Sequence, residues 1–156
     1  MKSVLVLAPV LALTTGLAGS GPSQSSSATP SADRAAIAQV AERENRAFAS
    51  RDVDGILSVY AADVVMMPPN EPAIHGKDAL RRWFASLFSQ AAFQAASGTS
   101  EALELAGDLA VERMTLRDGA GRTTGKVIHV YRRQPDGRWK ITWDVWNADA
   151  PPPGPR

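Results

Sequence analysis

The alternation of apolar and polar residues near the end of the chain predicts a β-hairpin. Two runs rich in β-branched and aromatic residues, within Thr124 to Asn147, flank the turn sequence Gln134-Pro135-Asp136-Gly137. Because side chains alternate across a strand, one face should be an apolar packing surface formed by Ile128, Val130, Trp139, Ile141, Trp143 and Val145. The other face should carry His129, Tyr131, Thr142, Asp144 and Trp146. Aromatic rings mixed with a few titratable groups are typical of the wall of a small-molecule pocket.

Helical periodicity earlier in the chain predicts three helices. The first runs from Asp33 to about Ser50, with Ser31 or Asp33 as its N-cap. A short second helix follows Asp52 and carries Ile56, Leu57 and Tyr60. The third follows a loop over residues 70–76 and presents one apolar stripe, formed by Leu80, Trp83, Phe84, Leu87 and Phe88.

Strand patterns fill the remainder of the chain. A short β run, Val64 to Met67, ends at Pro68-Pro69. Five further strands are predicted over about residues 92–96, 100–105, 109–116, 122–132 and 138–147. Helices followed by a run of antiparallel strands indicate an α+β domain, in which the helices pack against one face of a curved sheet.

The two ends of the chain have compositions unlike the middle. Residues 1–19 combine Lys2, an apolar run and small residues near Gly19, which is typical of a secretory signal peptide. A membrane anchor is the competing interpretation, but the apolar run is shorter than the roughly 20 residues that span a bilayer, so we expect export followed by release. Residues 20–32 are predicted to be a flexible linker, 33–149 the folded domain and 150–156 a disordered, proline-rich tail.

Charge and cysteine content exclude several function classes. The chain has 17 basic and 16 acidic residues, and loss of Lys2 with the leader leaves equal numbers of each. This balance argues against nucleic acid as a partner, because such binding depends on phosphate neutralisation. With no cysteine, the chain has no disulfide, thiol nucleophile or lipid attachment site.

Glu44 is a candidate general acid or base on the first helix. Stepping 100° per residue places it near the centre of the apolar stripe made by Ile37, Val40, Ala41, Ala47 and Phe48. An acid in that position is either desolvated, which would raise its pKa, or faces a polar cavity. The alternative is a slightly rotated helix, in which Glu44 reaches solvent or pairs with an arginine.

His129 and Asp144 form the second candidate for chemistry. They should lie on the same face of paired strands, in direct or diagonal contact if Arg133 is opposite Arg138. A carboxylate beside an imidazole fixes its tautomer and strengthens it as a base. The alternative is a strand histidine that hydrogen-bonds a neighbouring hydroxyl.

The predicted ligand-binding residues are mostly aromatic or sulfur-containing. Tyr131 and Trp146 offer ring surface to a ligand or fill the core, and the full predicted set is Met66, Met67, Trp83, Tyr131, Thr142 and Trp146. Trp139 and Trp143, on the opposite face, would be covered by formation of a homodimer. We expect no metal or other cofactor, since His75 has no partner at a familiar ligand spacing.

Three sequence blocks carry a resemblance to a known superfamily. They are AFASRDVDGILSVYAADVVMMPP over residues 47–69, HGKDALRRWF over 75–84 and GKVIHVYRRQPDGRWKITWDVWN over 125–147. From about Ala35 to Asn147 the chain resembles the SnoaL-like and ketosteroid-isomerase-like superfamily, also called nuclear-transport-factor-2-like, and in particular its exported members of unknown function. The resemblance implies a cone-shaped domain, a highly curved sheet wrapped over helices, a pocket between them and dimers formed through the outer face of the sheet.

The catalytic residues of ketosteroid isomerases do not carry over to this chain. Where they have the carboxylate base, this sequence has Met67 before Pro68; where they have a tyrosine donor, it has Glu44. Their protonated aspartate corresponds to His129, and only the pocket tryptophan is retained, as Trp146. We therefore do not expect steroid isomerisation, although Glu44, His129, Tyr131 and Asp144 would suit the proton transfers of a dehydratase or cyclase.

Two functional hypotheses follow from the sequence. The first is an exported homodimer that binds a small hydrophobic molecule without chemistry. It is slightly favoured because fold does not fix function and the carboxylate base of ketosteroid isomerases is missing. The second is an acid–base enzyme of the dehydratase, cyclase or isomerase type, with His129 as base, Asp144 as its orienting group and Glu44 as acid. The first hypothesis predicts that His129→Gln leaves ligand binding intact. A wholly structural role is a third possibility.

Overall fold

The computed structural model of the protein describes residues 29–149. The predicted signal peptide, most of the linker and the C-terminal tail lie outside the described residues. The elements are α1 (Pro30–Ser50), α2 (Val53–Val59), β1 (Tyr60–Met67), β2 (Ile74–His75), α3 (Gly76–Ser89), β3 (Ser97–Ala106), β4 (Leu109–Arg117), β5 (Thr123–Arg133) and β6 (Trp139–Ala148). Within this part of the chain, no helix has the length and apolar character needed to cross a membrane.

Local sequence explains where α1 begins and ends. Thr29 is the N-cap and its side chain accepts a hydrogen bond from the Ala32 amide, while Pro30 occupies the first turn, where its missing N–H costs nothing. The helix therefore begins three residues before the predicted Asp33. It ends where Arg51 adopts a left-handed conformation and its backbone N–H bonds to carbonyls of the last turn.

Two predicted elements after α1 are wrong. Tyr60 ends the predicted second helix, but in the structure it is the first residue of β1. Residues 92–96 were expected to be a strand and are turn and irregular structure, and β3 begins at Ser97. Phe93 still contributes to the core, because its ring packs against those of Phe48 and Phe88.

The six strands form one sheet in the order β2-β1-β6-β5-β4-β3. β1 and β6 are parallel, and the other neighbouring pairs are antiparallel. The main core lies between the helices and the sheet and includes Ile37, Val40, Ile56, Leu80, Phe84, Tyr131 and Ile141. The predicted α+β class, with N-terminal helices against one face of a curved sheet, is confirmed.

A β-bulge in β6 changes which residues of the hairpin face the helices. Arg133 pairs with Trp139 and not with Arg138. Further along the ladder the register shifts by one residue, because Tyr131 pairs with Ile141 whereas Val130 pairs with Trp143. Thr142 is the extra residue, and both it and Ile141 are buried. Because one inserted residue moves the following side chains to the other face, the predicted single alternation along this hairpin is wrong.

The bulge gives the two hairpin tryptophans opposite environments. Trp139 is 3% exposed, and its Nε1 donates to Asp33 Oδ1 at 3.1 Å, whereas Trp143 is 48% exposed on the outer face. The Arg133 guanidinium stacks 4.5 Å above the Trp139 ring and bonds to Asp33 Oδ2 at 2.6 Å. Trp139 therefore joins α1 to the end of the hairpin and cannot belong to the outer dimer surface predicted for it.

Candidate functional site

A cavity of about 300 Å³ lies between the helices and the inner face of the sheet. Its wall is mostly apolar and is formed by residues including Phe48, Met66, Trp83, Phe84, Leu87, Phe93, Met114, Leu116, Val127 and Trp146. Cavities of this size and composition suit small, largely hydrophobic molecules. One part of the wall is different, because Glu44, His129, Asp144 and Tyr60 also line it.

These four polar side chains converge from four elements: α1, β5, β6 and β1. His129 and Asp144 are directly opposite each other in the antiparallel β5–β6 ladder, because the bulge at Thr142 shifts the register by one residue. Glu44 lies on the cavity side of α1, with 13% of its side chain exposed. Tyr60 is 1% exposed at the start of β1. The group formed by Glu44, Tyr60, His129 and Asp144 is called the acid–base cluster below.

His129 lies between the two carboxyl groups. Its Nδ1 is 3.6 Å from Glu44 Oε2, and its Nε2 is 3.5 Å from Asp144 Oδ1. Burial on its own would lower the pKa of His129, but the nearby Glu44, Asp144 and Glu112 outweigh this and raise the pKa to about 9. At neutral pH the imidazole is therefore a cation that balances the acidic groups around it.

Tyr60 connects the two carboxyl groups of the cluster. Its hydroxyl oxygen is 2.9 Å from Glu44 Oε1 and 2.7 Å from Asp144 Oδ2. A hydroxyl has one proton and can donate to only one of them, so the other contact needs a proton on the carboxyl group. Burial raises the pKa of Glu44, partly offset by the charge of His129, and this favours protonation of Glu44. Glu44 can then donate to Tyr60, which donates to Asp144.

Sequence reasoning missed Glu112, which extends the cluster through Tyr131. Glu112 is 2% exposed on β4, directly across the ladder from His129. The Tyr131 hydroxyl donates to Glu112 Oε2 at 2.6 Å, and its oxygen lies 3.3 Å from His129 Nδ1. Since its proton is used on Glu112, Tyr131 can only accept from Nδ1–H. Burial and the Glu112 charge both raise the pKa of Tyr131, which keeps the hydroxyl protonated.

Asp144 has a buried carboxyl oxygen that no described residue uses as an acceptor. Its Oδ1 is buried and has no hydrogen-bond partner among the described residues, since the 3.5 Å separation from His129 Nε2 exceeds normal hydrogen-bond length. A buried polar atom without a partner is costly and is often a site of function. Asp144 lines the cavity, so this unpartnered carboxyl oxygen marks the polar end of the cavity as the candidate reaction site.

A family comparison agrees with this architecture. The model of the SnoaL-like domain matches residues 41–141, which is more than half of the chain. The chain belongs to the SnoaL-like domain family. This confirms the resemblance drawn from the sequence. No curated protein matches the chain.

Solved structures place this SnoaL-like domain among nuclear-transport-factor-2-like folds. A ketosteroid isomerase-like protein from Erwinia carotovora atroseptica is 25% identical, with a TM-score of 0.63 over 75% of this chain and 96% of that one. A protein of unknown function from Pseudomonas putida is 24% identical, with a TM-score of 0.64 over 78% and 98%. A Streptomyces avermitilis protein, provisionally assigned as a dehydratase, is 19% identical, with a TM-score of 0.64 over 77% and 98%. The last two likenesses, below 25% identity, concern the fold alone.

The structure brings together only part of the predicted ligand-binding set of this SnoaL-like domain. Met66, Trp83 and Trp146 line the cavity, as do all three predicted catalytic residues. The cavity wall does not include the other three: Met67, next to Met66 on β1; Tyr131, fully buried behind His129; and Thr142, in the bulge. Consecutive strand residues point to opposite faces, which explains why Met66 and Met67 differ.

Glu44, His129 and Asp144 also satisfy a simple distance criterion for metal ligation. Each can offer one ligand atom, and these atoms lie within 4.8 Å of one another. The orientation of the imidazole is less suitable, because its two nitrogens face different carboxyl groups, whereas a metal ion binds one nitrogen of a given histidine. A protonated imidazole between two carboxyl groups explains this arrangement more directly than a metal ion does.

Proposed function

We propose that this SnoaL-like domain binds a small, largely apolar molecule in the cavity and moves a proton to or from it. The observation that carries the proposal is the position of the acid–base cluster: several buried ionisable groups converge at one end of an otherwise apolar cavity. Perturbed titratable groups in a secluded cavity are typical of acid–base active sites. The dehydratase assignment of the Streptomyces relative is compatible with this reaction class.

The protonation states suggest a role for each residue. Asp144, which lines the cavity and has an unpartnered carboxyl oxygen, is the proposed base that takes a proton from the bound molecule. The cationic His129 can stabilise negative charge that develops on a ligand oxygen, and Glu44, whose pKa is raised by burial, can return a proton. In the sequence-based hypothesis His129 is the base. Its raised pKa favours the cationic role and assigns the base to Asp144.

Proton transfer can be tested without knowing the natural substrate. The bicyclic ketone 2-tetralone is apolar and has acidic C–H groups beside its carbonyl, so exchange of these hydrogens in D₂O can be followed by NMR. We expect the protein to accelerate the exchange and Asp144→Asn to remove about a hundredfold or more of that acceleration. Asp63→Asn, a change to an exposed aspartate on β1, serves as the matched control and should have no effect. Exchange that is equally fast in wild type and both variants would remove the catalytic proposal.

Binding without chemistry is the second candidate function. It is favoured by the hydrogen bonds that join Glu44 and Asp144 through the Tyr60 hydroxyl, because such a chain can be purely structural. Binding of 2-tetralone, measured by quenching of Trp83 and Trp146 fluorescence, separates the two functions. If His129→Gln and Asp144→Asn bind the ketone like wild type while no variant exchanges its hydrogens, the domain is a binding module.

We further propose that the domain forms a homodimer through the outer face of the sheet. Five large apolar residues are exposed on β4, β5 and β6, namely Leu109, Val111, Ile128, Trp143 and Val145. Ile128 pairs with Val145 and Val130 pairs with Trp143, so these side chains form a continuous surface. Trp143→Glu should convert a dimer to a monomer in analytical ultracentrifugation, while Ser86→Glu, on the exposed side of α3, should not. A monomeric wild-type protein at high concentration would contradict this proposal.

Export remains a proposal based on residues 1–19. Expression of the full chain with a C-terminal tag in a bacterial host should give a mature protein outside the cytoplasm. Mass spectrometry should find its N-terminus near Ser20. An intact N-terminus on cytoplasmic protein would contradict export.

A further inference from the structure

A second cavity, of about 280 Å³, differs from the first in being lined by basic residues. It lies where the start of β1, the first turn of α3 and the β5–β6 turn meet, and its basic residues are Lys77, Arg138 and Lys140. Asp136 is the one acidic residue in its wall. Three cations and one carboxylate in a concave site create a positive local potential that attracts anions.

The positive charge of this basic cavity is incompletely neutralised. Arg138 Nε donates to Asp136 Oδ2 at 2.8 Å, so this pair accounts for the single carboxylate. Within residues 29–149, neither Lys77 nor Lys140 forms an ion pair, although Lys140 Nζ donates to the Ser58 carbonyl. Two lysine charges therefore remain available for a ligand. By contrast, Lys126 on β5 pairs with Asp149.

The charged groups are close enough to affect one another. Partial burial, followed by the charge of Arg138, lowers the pKa of Lys77. Partial burial, followed by the charges of Lys77 and Arg138, lowers the pKa of Lys140. A bound anion would offset the repulsion between these positive charges. The arrangement therefore favours the binding of an anion.

Irregular backbone borders the basic cavity. The β1–β6 ladder shifts register between Tyr60 and Val65, and the cavity is lined there by Ala61 and Ala62. Such interruptions leave backbone groups outside the regular ladder and occur often beside functional sites. Lys77 is also the second residue of α3, so the positive end of that helix dipole adds to the side-chain charges.

We propose that the basic cavity binds a phosphate group, supplied either as inorganic phosphate or as the phosphoryl end of a small organic ester. Two available lysine charges match a group that carries between one and two negative charges at pH 7, and lysine ammonium groups commonly bind phosphate. Arg138 can add a planar donor at the edge of the site. This proposal does not rest on the acid–base function, because Lys77, Arg138 and Lys140 take no part in the acid–base cluster. Tyr60 is the one cluster residue that also lines the basic cavity.

NMR titration of the backbone amides of Ala61, Ala62 and Lys77 tests the proposal. Inorganic phosphate and glycerol phosphate are added in separate experiments, with sodium chloride at matched ionic strength as the reference. We expect saturable shifts with phosphate that the chloride reference does not give. Equal affinity for both probes would show that the phosphate group alone is recognised. Tighter binding of the ester would indicate contacts with its organic part, and binding of inorganic phosphate alone would identify the free ion as the ligand.

Paired variants decide whether the lysines are responsible. Lys77→Gln combined with Lys140→Gln should weaken binding roughly tenfold for each lysine, because each loses a charge-assisted contact. Lys126→Gln, which removes a lysine whose side chain is 65% exposed elsewhere on the sheet, should bind phosphate like wild type. Shifts that match those of the chloride reference, or binding that the double variant leaves unchanged, would overturn the proposal. The amide spectra of the variants report in the same experiment that they remain folded.

Discussion

The two faces of the sheet carry opposite kinds of unusual residue. On the concave face, Glu112, His129 and Asp144 are 2%, 3% and 4% exposed, although charged groups are seldom fully buried. On the convex face, Trp143 and Val145 are 48% and 40% exposed. Folding alone favours exposed charged residues and buried apolar residues, which is the opposite of what these two faces show. We infer that the concave face is adapted to a ligand with a polar group, and the convex face to a second copy of the chain.

The largest expected difference between the faces concerns the two hairpin tryptophans. Trp139→Ala removes a buried ring that packs under Arg133 and bonds to Asp33, so it should lower the free energy of unfolding by about 3–5 kcal/mol. Trp143→Ala should change the stability of the monomer by less than about 1 kcal/mol. Urea denaturation at low protein concentration measures both. Equal losses would mean that the two rings do not lie on different faces.

Removal of the buried cation should be nearly as costly. His129→Gln leaves the buried acids Asp144 and Glu112 without the charge that balances them, so the free energy of unfolding should fall by about 3 kcal/mol at pH 7. His75→Gln is the matched control, because His75 is exposed and should contribute within about 0.5 kcal/mol. Similar stability of the two variants would contradict a charged cluster.

The pH dependence of stability should have a defined sign. The pKa of His129 is about 9 in the folded state against 6.5 when unperturbed, so the folded state binds the proton more tightly. Its contribution, on the order of 3 kcal/mol, is present in full below pH 6.5 and is lost as the pH rises through about 9. Glu44, whose pKa is also raised, lowers stability in the same direction, beginning above its unperturbed pKa of 4.5. Wild-type stability should therefore fall between pH 6.5 and 9, and that of His129→Gln should be flatter over this range. Parallel curves for the two proteins would contradict the assignment.

The smallest expected effect concerns Glu112. Glu112→Gln keeps an acceptor for the Tyr131 hydroxyl but removes a charge near His129, so we expect about 1 kcal/mol of lost stability and a lower pKa for His129. Glu101→Gln, on exposed β3, provides the control. An unchanged His129 pKa in Glu112→Gln would show that the Glu112–Tyr131 pair is structural only.

The sequence correctly predicted the site residues whose positions depend on the regular period of a helix or strand. Glu44 falls among the apolar residues of α1 at helical spacing, and the structure places it on the cavity side. His129 and Asp144 were predicted to be close, and they are directly opposite. The α+β class follows from the same patterns, since helical and strand periods differ clearly over long segments.

The wrong predictions arose where one extra residue interrupts the alternation of a strand. Ile141 and Thr142 are both β-branched and fit a regular strand, so nothing local indicated the bulge that turns Trp139 inward. Glu112 could have been found, because Ala110 and Met114, two residues away on either side, are apolar and buried with it. The Tyr60 contacts with Glu44 and Asp144 join three distant segments, and no local pattern encodes such contacts.

The most direct test of the acid–base cluster is an NMR titration of His129 in the folded domain, repeated with Asp144→Asn. The structure predicts a pKa near 9 for His129 in the wild type, and a lower value once the neighbouring charge is removed. A His129 pKa near 6.5 in both proteins would contradict the coupled, buried cluster and the proton-transfer function proposed for it.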